Sequence, residues 1–326
     1  MSLLVVSSYP PRRCGIGAYA HTQVARMRGA GETVTVLSPP DGEGDERIRF
    51  DGGRPFRRAV ELTRPGDRIL IHFQPALYFR PRAPLSKIGT SLGLLALVKR
   101  RPRTEILVHE ADPPRWWRPD EILLTRAFRA APLLLFHTEA ERRSFERRFG
   151  RIRRARVVPH VDGVEVRGPV SRADARRRLE LPAEARILVV PGFLHPGKGV
   201  DRAIRAVPQD ALLYVVGSVK DPTPENVAYA AEVRRLAAAD PRVELVERFV
   251  ADEEFDAWVA AADAVILPYR RSWSSGVLAR AQAIGTPAIV ADVGGLGEQA
   301  GPSDVVVRSD AELAEAMAKV GHEVAS

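Results

Sequence analysis

Short apolar runs alternate with amphipathic stretches along nearly the whole chain. Each run has about four to six residues, is rich in leucine or β-branched residues and leads into glycine, proline or polar residues, as buried strands do. In the first half the runs are Leu3–Ser7, Thr33–Leu37, Arg68–Phe73, Glu105–His109, Leu133–His137 and Ala155–Val158. In the second half they are Ile187–Val190, Leu212–Val216, Val243–Val246, Ala264–Leu267, Ala288–Ala291 and Asp304–Val307.

Helical stretches lie between these runs, for example Asp201–Ala206, Tyr229–Ala238 and Glu253–Ala261. The alternation predicts an α/β fold with parallel sheets, crossover helices and two doubly wound domains. We place the junction within residues 161–170 and the domains at residues 1–165 and 166–326. Ligands of such sheets bind at the carboxyl ends of the strands, so a cleft shared by two facing domains is the expected site.

Composition supports a globular protein of the reducing cytoplasm. The chain has 326 residues, 45% of them hydrophobic and 28% charged, which leaves room for two ordinary cores. Its one cysteine, Cys14, excludes an internal disulfide. No apolar run approaches the roughly 20 residues of a membrane-spanning helix, and Leu3–Val6 is too short for a signal peptide.

The positive charge is concentrated in the first half. Residues 1–165 hold 30 Lys and Arg against 18 Asp and Glu, whereas residues 166–326 hold 19 against 23. A basic half attracts phosphates, anionic lipid or nucleic acid, although arginines on solvated faces give the same count. The basic segment "RFGRIRRARVV" has neither interleaved aromatic residues nor a nucleic-acid motif, so we expect no nucleic-acid partner.

Two glycine-containing loops each follow a strand and precede a helix. In "YPPRRCGIGAYAHT", Gly15 and Gly17 would let the backbone approach a ligand, and the helix start would offer free N–H groups to an anion. In "VVPGFLHPGKGVDRAIRAV", Lys198 is placed to bind a diphosphate as a point charge. A simple turn in the first loop and a solvated lysine in the second remain the alternatives.

A third segment, "YRRSWSSGVLARAQAIG", places small polar residues before a predicted helix, Val277–Ile284. The backbone amides and the helix dipole favour an anion there, next to Arg270 and Arg271. Ordinary N-capping by Ser275 beside solvated arginines is the alternative. The residues at issue are Ser272, Ser274, Ser275, Gly276, Val277 and Leu278.

Two histidines follow strands and are candidates for chemistry. "TEILVHE" delivers His109 to a strand end, and "ILIHFQP" does the same for His72, with a structural histidine as the alternative in both cases. No nucleophile elbow is present, and a single cysteine with no second ligand near His195 gives no zinc spacing. These residues give no zinc site, and we expect no metal and no cofactor.

In this order and spacing, the segments resemble the family 4 retaining glycosyltransferases of the GT-B fold, within glycosyl transferases group 1. The resemblance rests on "YPPRRCGIGAY" near the start, "HE" at 109–110, "FHTEAERRSF" at 136–145, "VVPHVDG" at 157–163, "GFLHPGKGVD" at 192–201, "LYVVGS" at 213–218 and "SSGVLARAQAIGTPAIVADVGGLGE" at 274–298. It spans nearly the whole chain.

The resemblance implies two Rossmann-like domains, the N-terminal one for the acceptor and the C-terminal one for a nucleotide-sugar, with the option that the last helix packs back on the N-terminal domain. Gly15 and Gly17 resemble the loop that approaches the donor. His109 resembles the active-site histidine beside the transferred sugar, and Lys198 the lysine on the diphosphate. Ser275, Gly276, Val277 and Leu278 resemble the segment whose amides cap that diphosphate, and the family usually needs no metal.

Three positions depart from the family pattern. Phe193 stands where an arginine is common, Ser272 lies at or near the place of a glutamate that contacts the donor sugar, and Arg280 replaces a glutamate that holds the ribose. These changes predict different sugar and ribose contacts. A positive charge from Arg270, Arg271 or Arg280 would compensate for the lost cation.

We therefore predict a hexosyl-type glycosyltransferase that moves a sugar from a nucleoside-diphosphate sugar to an acceptor hydroxyl, in polysaccharide, glycolipid or natural-product synthesis. A catalytically degenerate partner or regulatory protein is the main alternative, which the three departures favour. A nucleotide-sugar epimerase is a second alternative, although no set of cleft carboxylates is evident.

The N-terminal half also contains a candidate membrane-binding surface. "SKIGTSLGLLALVKRRPR", residues 86–103, joins an apolar stretch to a cationic end, and Trp116 and Trp117 stand between arginines. Such a combination suits the interface of an anionic membrane, where a lipid-linked acceptor would lie, so we consider peripheral binding at the inner membrane face. The alternative is that Leu92–Val98 belongs to a core helix and the tryptophans pack at the domain cleft.

Overall fold

The computed structural model describes residues 2–12, 14–80, 82–110, 118–160, 164–168, 171–219 and 222–321. The chain forms two compact units, Met1–Gly163 and Val164–Ser326. Trp116, Trp117 and part of the predicted junction lie outside the described residues.

The first unit is built on a parallel sheet that has seven strands in the described residues, in the order β3-β2-β1-β4-β5-β6-β7. The strands are β1 (Leu3–Val6), β2 (Val34–Ser38), β3 (Glu46–Arg47), β4 (Arg68–Phe73), β5 (Thr104–Val108), β6 (Leu133–Phe136) and β7 (Ala155–Val157). The register places Val5 opposite Val36 on one side and Leu70 on the other. The central strands are apolar throughout because helices cover both faces of a parallel sheet.

Helices connect these strands. They are α1 (Gly15–Gly29), α2 (Arg54–Leu62), α3 (Pro75–Tyr78), α4 (Pro84–Arg100), α5 (Pro119–Ala130) and α6 (Glu139–Phe149). Helix α6 begins with a capping box, in which Thr138 and Glu141 satisfy each other's backbone N–H groups. It ends at Gly150, whose positive φ of 79° suits glycine.

The second unit has the same architecture, with six strands in its described part, in the order β10-β9-β8-β11-β12-β13. The strands are β8 (Arg186–Pro191), β9 (Ala211–Gly217), β10 (Val243–Glu247), β11 (Ala264–Leu267), β12 (Ala288–Ala291) and β13 (Val305–Val307). The helices are α7 (Arg172–Arg178), α8 (Val200–Arg205), α9 (Pro224–Ala238), α10 (Asp252–Ala261), α11 (Gly276–Ile284), α12 (Leu296–Gln299) and α13 (Asp310–Lys319).

The α/β fold class with two doubly wound sheets is confirmed, and each predicted strand is present within one or two residues of its predicted bounds. Strand β3 was not predicted, because its two residues, Glu46 and Arg47, are polar and pair only at the edge of the sheet. In the described residues, α13 buries Leu313 and Met317 in the core of the second unit.

Helix α4 corresponds to the candidate membrane-binding surface. Its buried face includes Leu94, Leu97 and Val98, as a core helix requires, so the core part of that alternative is confirmed. Its outer face nevertheless leaves Leu85 83% exposed and Leu92 47% exposed. Within the described residues no helix is both long and apolar enough to cross a membrane.

Both sheets reverse their winding direction at one point, and this positions the candidate sites. Strand β1 lies between β2 and β4, and β8 lies between β9 and β11. At such a point the loops that leave two adjacent strands of one sheet run to opposite faces of that sheet. The adjacent strands are β1 and β4 in the first sheet and β8 and β11 in the second. The diverging loops open a crevice at the carboxyl edge, where ligands of doubly wound sheets bind. The glycine loop before α1 leaves β1, and the loop that carries Lys198 leaves β8.

Candidate functional site

In the second unit, the loops after β8 and β11 pack against each other through their backbones. Gly199 has φ of 62°, and a Cβ there would collide with the carbonyl oxygen of Pro268. The amide of Arg270 donates to the carbonyl of Gly197 at 2.9 Å. A residue with a side chain at position 199 would separate the loops, so this glycine fixes their contact.

Lys198 lies in this contact, in a single 3-10 turn over Pro196–Lys198. Its Nζ is 3.7 Å from the centroid of the Tyr269 ring. The hydroxyl of Tyr269 is in turn 3.4 Å from Oγ of Ser275, which lies at the start of α11. Among the described residues, Lys198 has no carboxylate partner, so its charge stands uncompensated beside the N-terminus of α11.

The start of α11 is held rigidly and leaves two amides free. Oγ of Ser275 accepts from the amide of Leu278, as predicted for an N-cap, and the side chain of Gln299 bonds both the amide and the carbonyl of Ser275 at 2.8 and 2.7 Å. The next two amides, of Gly276 and Val277, have no partner in the described part of the chain. With the helix dipole behind them, they form an anion-binding end.

The described geometry therefore brings Lys198, Ser275, Gly276 and Val277 to one edge of the second sheet. Leu278 is fully buried, and Ser275 occupies its amide, so it supports the cap rather than offering a free donor.

Ser272 and Ser274 belong to the loop before this cap. Oγ of Ser272 donates to the carbonyl of Ser274 at 2.9 Å, and the amide of Gly295 donates to the carbonyl of Trp273. The loop after β12 thus braces the loop after β11. From Tyr269 to Ser275 the chain has no carboxylate, and Phe193 is partly buried in the loop after β8.

Arg270 forms a bidentate pair with Asp201, both N–O distances being 2.7 Å. Burial opposes ionisation of Asp201, but hydrogen bonds from Arg270, Tyr229 and Arg205 outweigh it and hold the pKa of this carboxyl below its ordinary value. The charge of Arg270 is thus compensated within the unit, which favours a bracing role.

Arg280 is also compensated. Its guanidinium pairs with Asp252 at 3.3 Å and with Asp256, a carboxylate that is completely buried. Asp256 accepts further hydrogen bonds from the amides of Arg167 and Gly168 at 2.6 and 3.1 Å. Arg280 therefore joins α11 to α10 and to the start of the unit, which favours a structural role over the donor contact predicted from the sequence.

In the first unit, four neighbouring strands each lead to a histidine at the carboxyl edge of the sheet. The histidines are His72 in β4, His109 after β5, His137 after β6 and His160 after β7. Tyr19 of α1 packs edge-on against all four rings, with centroid distances of 5.0 to 5.8 Å. We call this group the four-histidine cluster.

Burial keeps the cluster neutral, against the hydrogen bond that His137 makes. Nδ1 of His72 is 2.9 Å from Nε2 of His109, and Nδ1 of His137 is 3.1 Å from the carbonyl of Val158. Burial lowers the pKa of His72 to about 3, of His137 to about 4 and of His160 to about 3. Burial, then the neighbouring imidazoles, also hold the pKa of His109 well below its ordinary value.

Sequence reasoning found His109 and His72 and missed His137, His160 and Tyr19. A signal was present, because "ILIH", "ILVH", "LLFH" and "VVPH" each end an apolar run in histidine. Carboxyl ends of neighbouring parallel strands share one edge, so the repeated ending predicts a cluster.

The predicted glycines lie at the start of α1. Gly17 is buried, and a Cβ there would press on Oγ of Ser8 and the amide of Tyr9 at 3.3 and 3.4 Å. Gly15 is exposed, with open space around its Cβ position. Gly17 thus serves close packing of helix on loop, and Gly15 keeps the helix start accessible.

The four-histidine cluster makes stability fall as the pH falls. Unfolding restores a pKa near 6.5, so the unfolded chain binds protons that the folded chain excludes, and stability present above pH 6.5 is lost below it. Between pH 7.5 and 5.5, each imidazole should remove about 1 kcal/mol of unfolding free energy. Urea titrations at the two pH values should show this decrease in unfolding free energy. The decrease should be smaller in His137→Gln than in the control variant His21→Gln. Equal stability at both pH values would contradict charge exclusion by the cluster.

Removal of Arg280 should destabilise the second unit. Arg280→Met leaves the buried carboxylate of Asp256 without its cation, which costs about 3 kcal/mol when a buried pair is broken. Arg271→Met, an exposed arginine of the same segment, should change the unfolding free energy by less than about 0.5 kcal/mol. If the two variants unfold at the same urea concentration, Arg280 does not have the structural role assigned to it here.

Part of the second unit matches a known protein family. Residues 184–322 match the family model of glycosyl transferases group 1. D-inositol 3-phosphate glycosyltransferase of Nocardioides sp. is 37% identical over 156 residues, which cover 43% of this chain and 34% of that protein. The Streptomyces avermitilis enzyme of the same name is 33% identical over 184 residues, 53% of this chain and 38% of that protein. The match thus spans about a third of the length of these curated relatives.

Solved structures share the fold over nearly the whole chain. Sucrose-phosphate synthase from Thermosynechococcus elongatus has a TM-score of 0.72 at 18% identity, with 98% of this chain and 89% of that chain covered. The Anabaena protein HepE in complex with UDP has a TM-score of 0.71 at 17% identity, with 100% and 91% covered. The fold is of the GT-B type, and residues 184–322 are similar to glycosyl transferases group 1.

Proposed function

We propose that the protein is a retaining glycosyltransferase that transfers a hexosyl group from a nucleoside-diphosphate sugar to an acceptor hydroxyl. The observation that carries the proposal is the uncompensated Lys198 beside the free amides of Gly276 and Val277, at the point where the second sheet reverses direction. HepE, which shares the fold, has been solved with UDP and with UDP-glucose, which supports a donor of this class.

The proposed site binds the diphosphate and stabilises it as a leaving group. Two amides at a helix N-terminus and one ammonium group can stabilise the negative charge that develops on the diphosphate when its bond to the sugar breaks. Their positions are fixed before binding by Gln299, Ser275 and the Tyr269 ring, so little reorganisation is needed. In this proposal cations and helix dipoles take the place of a metal ion.

The acceptor hydroxyl attacks the anomeric carbon on the face from which the diphosphate departs, and a leaving-group oxygen takes the acceptor proton. The C–O bond to the diphosphate breaks as the C–O bond to the acceptor forms, so the configuration is retained. The protein contributes position and electrostatic stabilisation. We assign His109 a contact to the transferred sugar and Gly15 an open approach for the donor.

A catalytically degenerate relative is the second candidate. It is favoured by the absence of a carboxylate in the described loop from Tyr269 to Ser275, where the family pattern has a sugar-binding glutamate. Incubation with sugars of UDP, GDP, ADP and dTDP, with an assay for released diphosphate, separates the two. Binding without any turnover across acceptors would favour the degenerate protein.

Lys198→Ala should weaken donor binding without loss of fold. A charge-assisted contact to phosphate contributes about 1.5–3 kcal/mol, so affinity should fall about 10- to 100-fold in calorimetry with the best-binding nucleotide-sugar. The matched control is Lys319→Ala, since Lys319 pairs with Glu315 on an exposed helix face far along the chain. Equal affinities of the two variants would remove Lys198 from the site.

We further propose that the outer face of α4 docks on an anionic membrane, where a lipid-linked acceptor would be reached. Leu85, Leu92 and Lys99 are spaced seven residues apart and therefore share one face, and all three are exposed. Lys99 and Arg100 have no carboxylate partner among the described residues, and α4 contains no acidic residue. Exposed leucines beside uncompensated cations suit a negatively charged headgroup layer.

Flotation with vesicles of phosphatidylglycerol and phosphatidylcholine tests this docking. Wild-type protein should float at low salt and less so at high salt, because the cationic contribution is screened. Leu85→Ser with Leu92→Ser should abolish flotation, whereas Val227→Ser, at an apolar position of the second unit that is as exposed as Leu92, should not. Wild-type protein that stays in solution at low salt would exclude the docking, and a soluble acceptor would replace the lipid-linked one.

A further inference from the structure

His72 is buried, and the proposed chemistry does not use it. Both of its ring nitrogens are engaged, Nε2 with Oε1 of Gln23 at 3.1 Å and Nδ1 with Nε2 of His109 at 2.9 Å. A neutral imidazole offers one donor and one acceptor, so the direction of one hydrogen bond dictates that of the other. The three side chains come from α1, β4 and the end of β5, which makes them a relay through the first unit.

We propose that Gln23 and His72 act as positioning residues that fix the tautomer of His109. Oε1 of Gln23 can only accept, so Nε2 of His72 carries the proton and donates it. Nδ1 of His72 is then a lone pair, and it accepts from Nε2–H of His109. Nδ1 of His109 is left unprotonated, and it has no hydrogen bond to the described residues. His109 therefore presents a hydrogen-bond acceptor.

The ligand group that matches this acceptor is a hydroxyl. This role rests on the proposed function, in which His109 contacts the transferred sugar, and it makes the histidine selective for a donor that places a hydroxyl there. A histidine of the opposite tautomer would present Nδ1–H, which also binds a carbonyl or an ether oxygen that cannot donate. The relay thus selects a ligand group that can donate a hydrogen bond.

The surroundings keep the relay neutral. Tyr19 of α1 packs edge-on against both rings, the His137 ring lies against His109, and His160 lies against His137. Glu110, the residue after His109, accepts from the side chain of Gln74 at 3.4 Å. Burial lowers the pKa of His72 to about 3, so the relay persists across the neutral range.

Nitrogen NMR of the full chain tests the tautomers directly. With ¹⁵N-histidine labelling, two-bond proton–nitrogen spectra from pH 6 to 8 distinguish Nε2–H, Nδ1–H and the doubly protonated ring, and His72→Gln and His109→Gln assign the signals. We expect Nε2–H at both residues and no titration. Nδ1–H at either residue, a mixture of tautomers, or protonation in this range would overturn the proposal.

Two variants of Gln23 separate hydrogen bonding from packing. Gln23→Met is similar in length but cannot accept, so His72 and His109 should become mixtures of tautomers. Gln23→Glu retains the acceptor and should keep Nε2–H at both residues while it raises the pKa of His72. Gln209→Met, an exposed site in the second unit, is the control that should leave the histidine signals unchanged. Unchanged tautomers in Gln23→Met would overturn the relay.

Turnover gives the functional readout. Gln23→Met should lower kcat about tenfold, the effect of one lost hydrogen bond, and leave the donor KM within about threefold. Gln23→Glu should retain most of kcat at pH 8 and lose it toward pH 6, as His72 gains a proton. Equal losses in both variants at pH 8 would show a packing role and contradict the relay. The NMR measurement of the tautomers does not require turnover. If the spectra are as expected but the protein transfers no sugar, the proposed function is contradicted and the relay is not.

Discussion

The second unit depends on the close approach of backbones where its loops leave the sheet. Gly199 in a left-handed conformation lies against Pro268, and a Cβ at Gly217 would collide with the carbonyl oxygen of Gly192. These contacts draw the loops after β8, β9 and β11 together. They bring Lys198 onto the Tyr269 ring, and that ring reaches the cap of α11 through its hydroxyl. Without side-chain-free positions at these points, the cation and the helix end would be separated.

Charge compensation decides which of the nearby cations can serve a ligand. Arg270 and Arg280 are paired with Asp201 and Asp256, and both pairs brace the unit. Lys198 lacks such a partner among the described residues and keeps only an aromatic face, which stabilises an ammonium group less than a carboxylate does. A diphosphate therefore meets one uncompensated cation and two free amides. In the first unit the same edge of the sheet bears neutral imidazoles, which suit hydroxyl groups rather than phosphates.

The sequence predicted the fold well because strand and helix patterns are local. The apolar runs around Val5, Leu70 and Ile266 are buried on both faces, and that burial is visible in the pattern itself. The cap at Ser275 and the position of Lys198 were also predictable, since turn and cap chemistry involve residues close in the chain. The ion pairs of Arg280 were not predictable, because its partners come from residues 252 and 256, whose side chains no local pattern assigns to it.

The four-histidine cluster shows the same limit. Each histidine has a local signature, but their meeting around Tyr19 requires the strand order β4-β5-β6-β7, which a pattern of runs does not specify. The relay from Gln23 is further removed, because it joins α1 to β4 through one side-chain contact.

In the proposed mechanism the diphosphate binds at the free amides of α11. Amide proton–nitrogen NMR of the full chain can observe this contact. The titrant is the best-binding nucleoside diphosphate among those of uridine, guanosine, adenosine and thymidine, and its nucleoside is the reference. We predict that the amide signals of Gly276 and Val277 shift with the diphosphate and not with the nucleoside. If the diphosphate binds while these two signals stay unchanged, its binding site lies elsewhere and Gly276 and Val277 do not hold it.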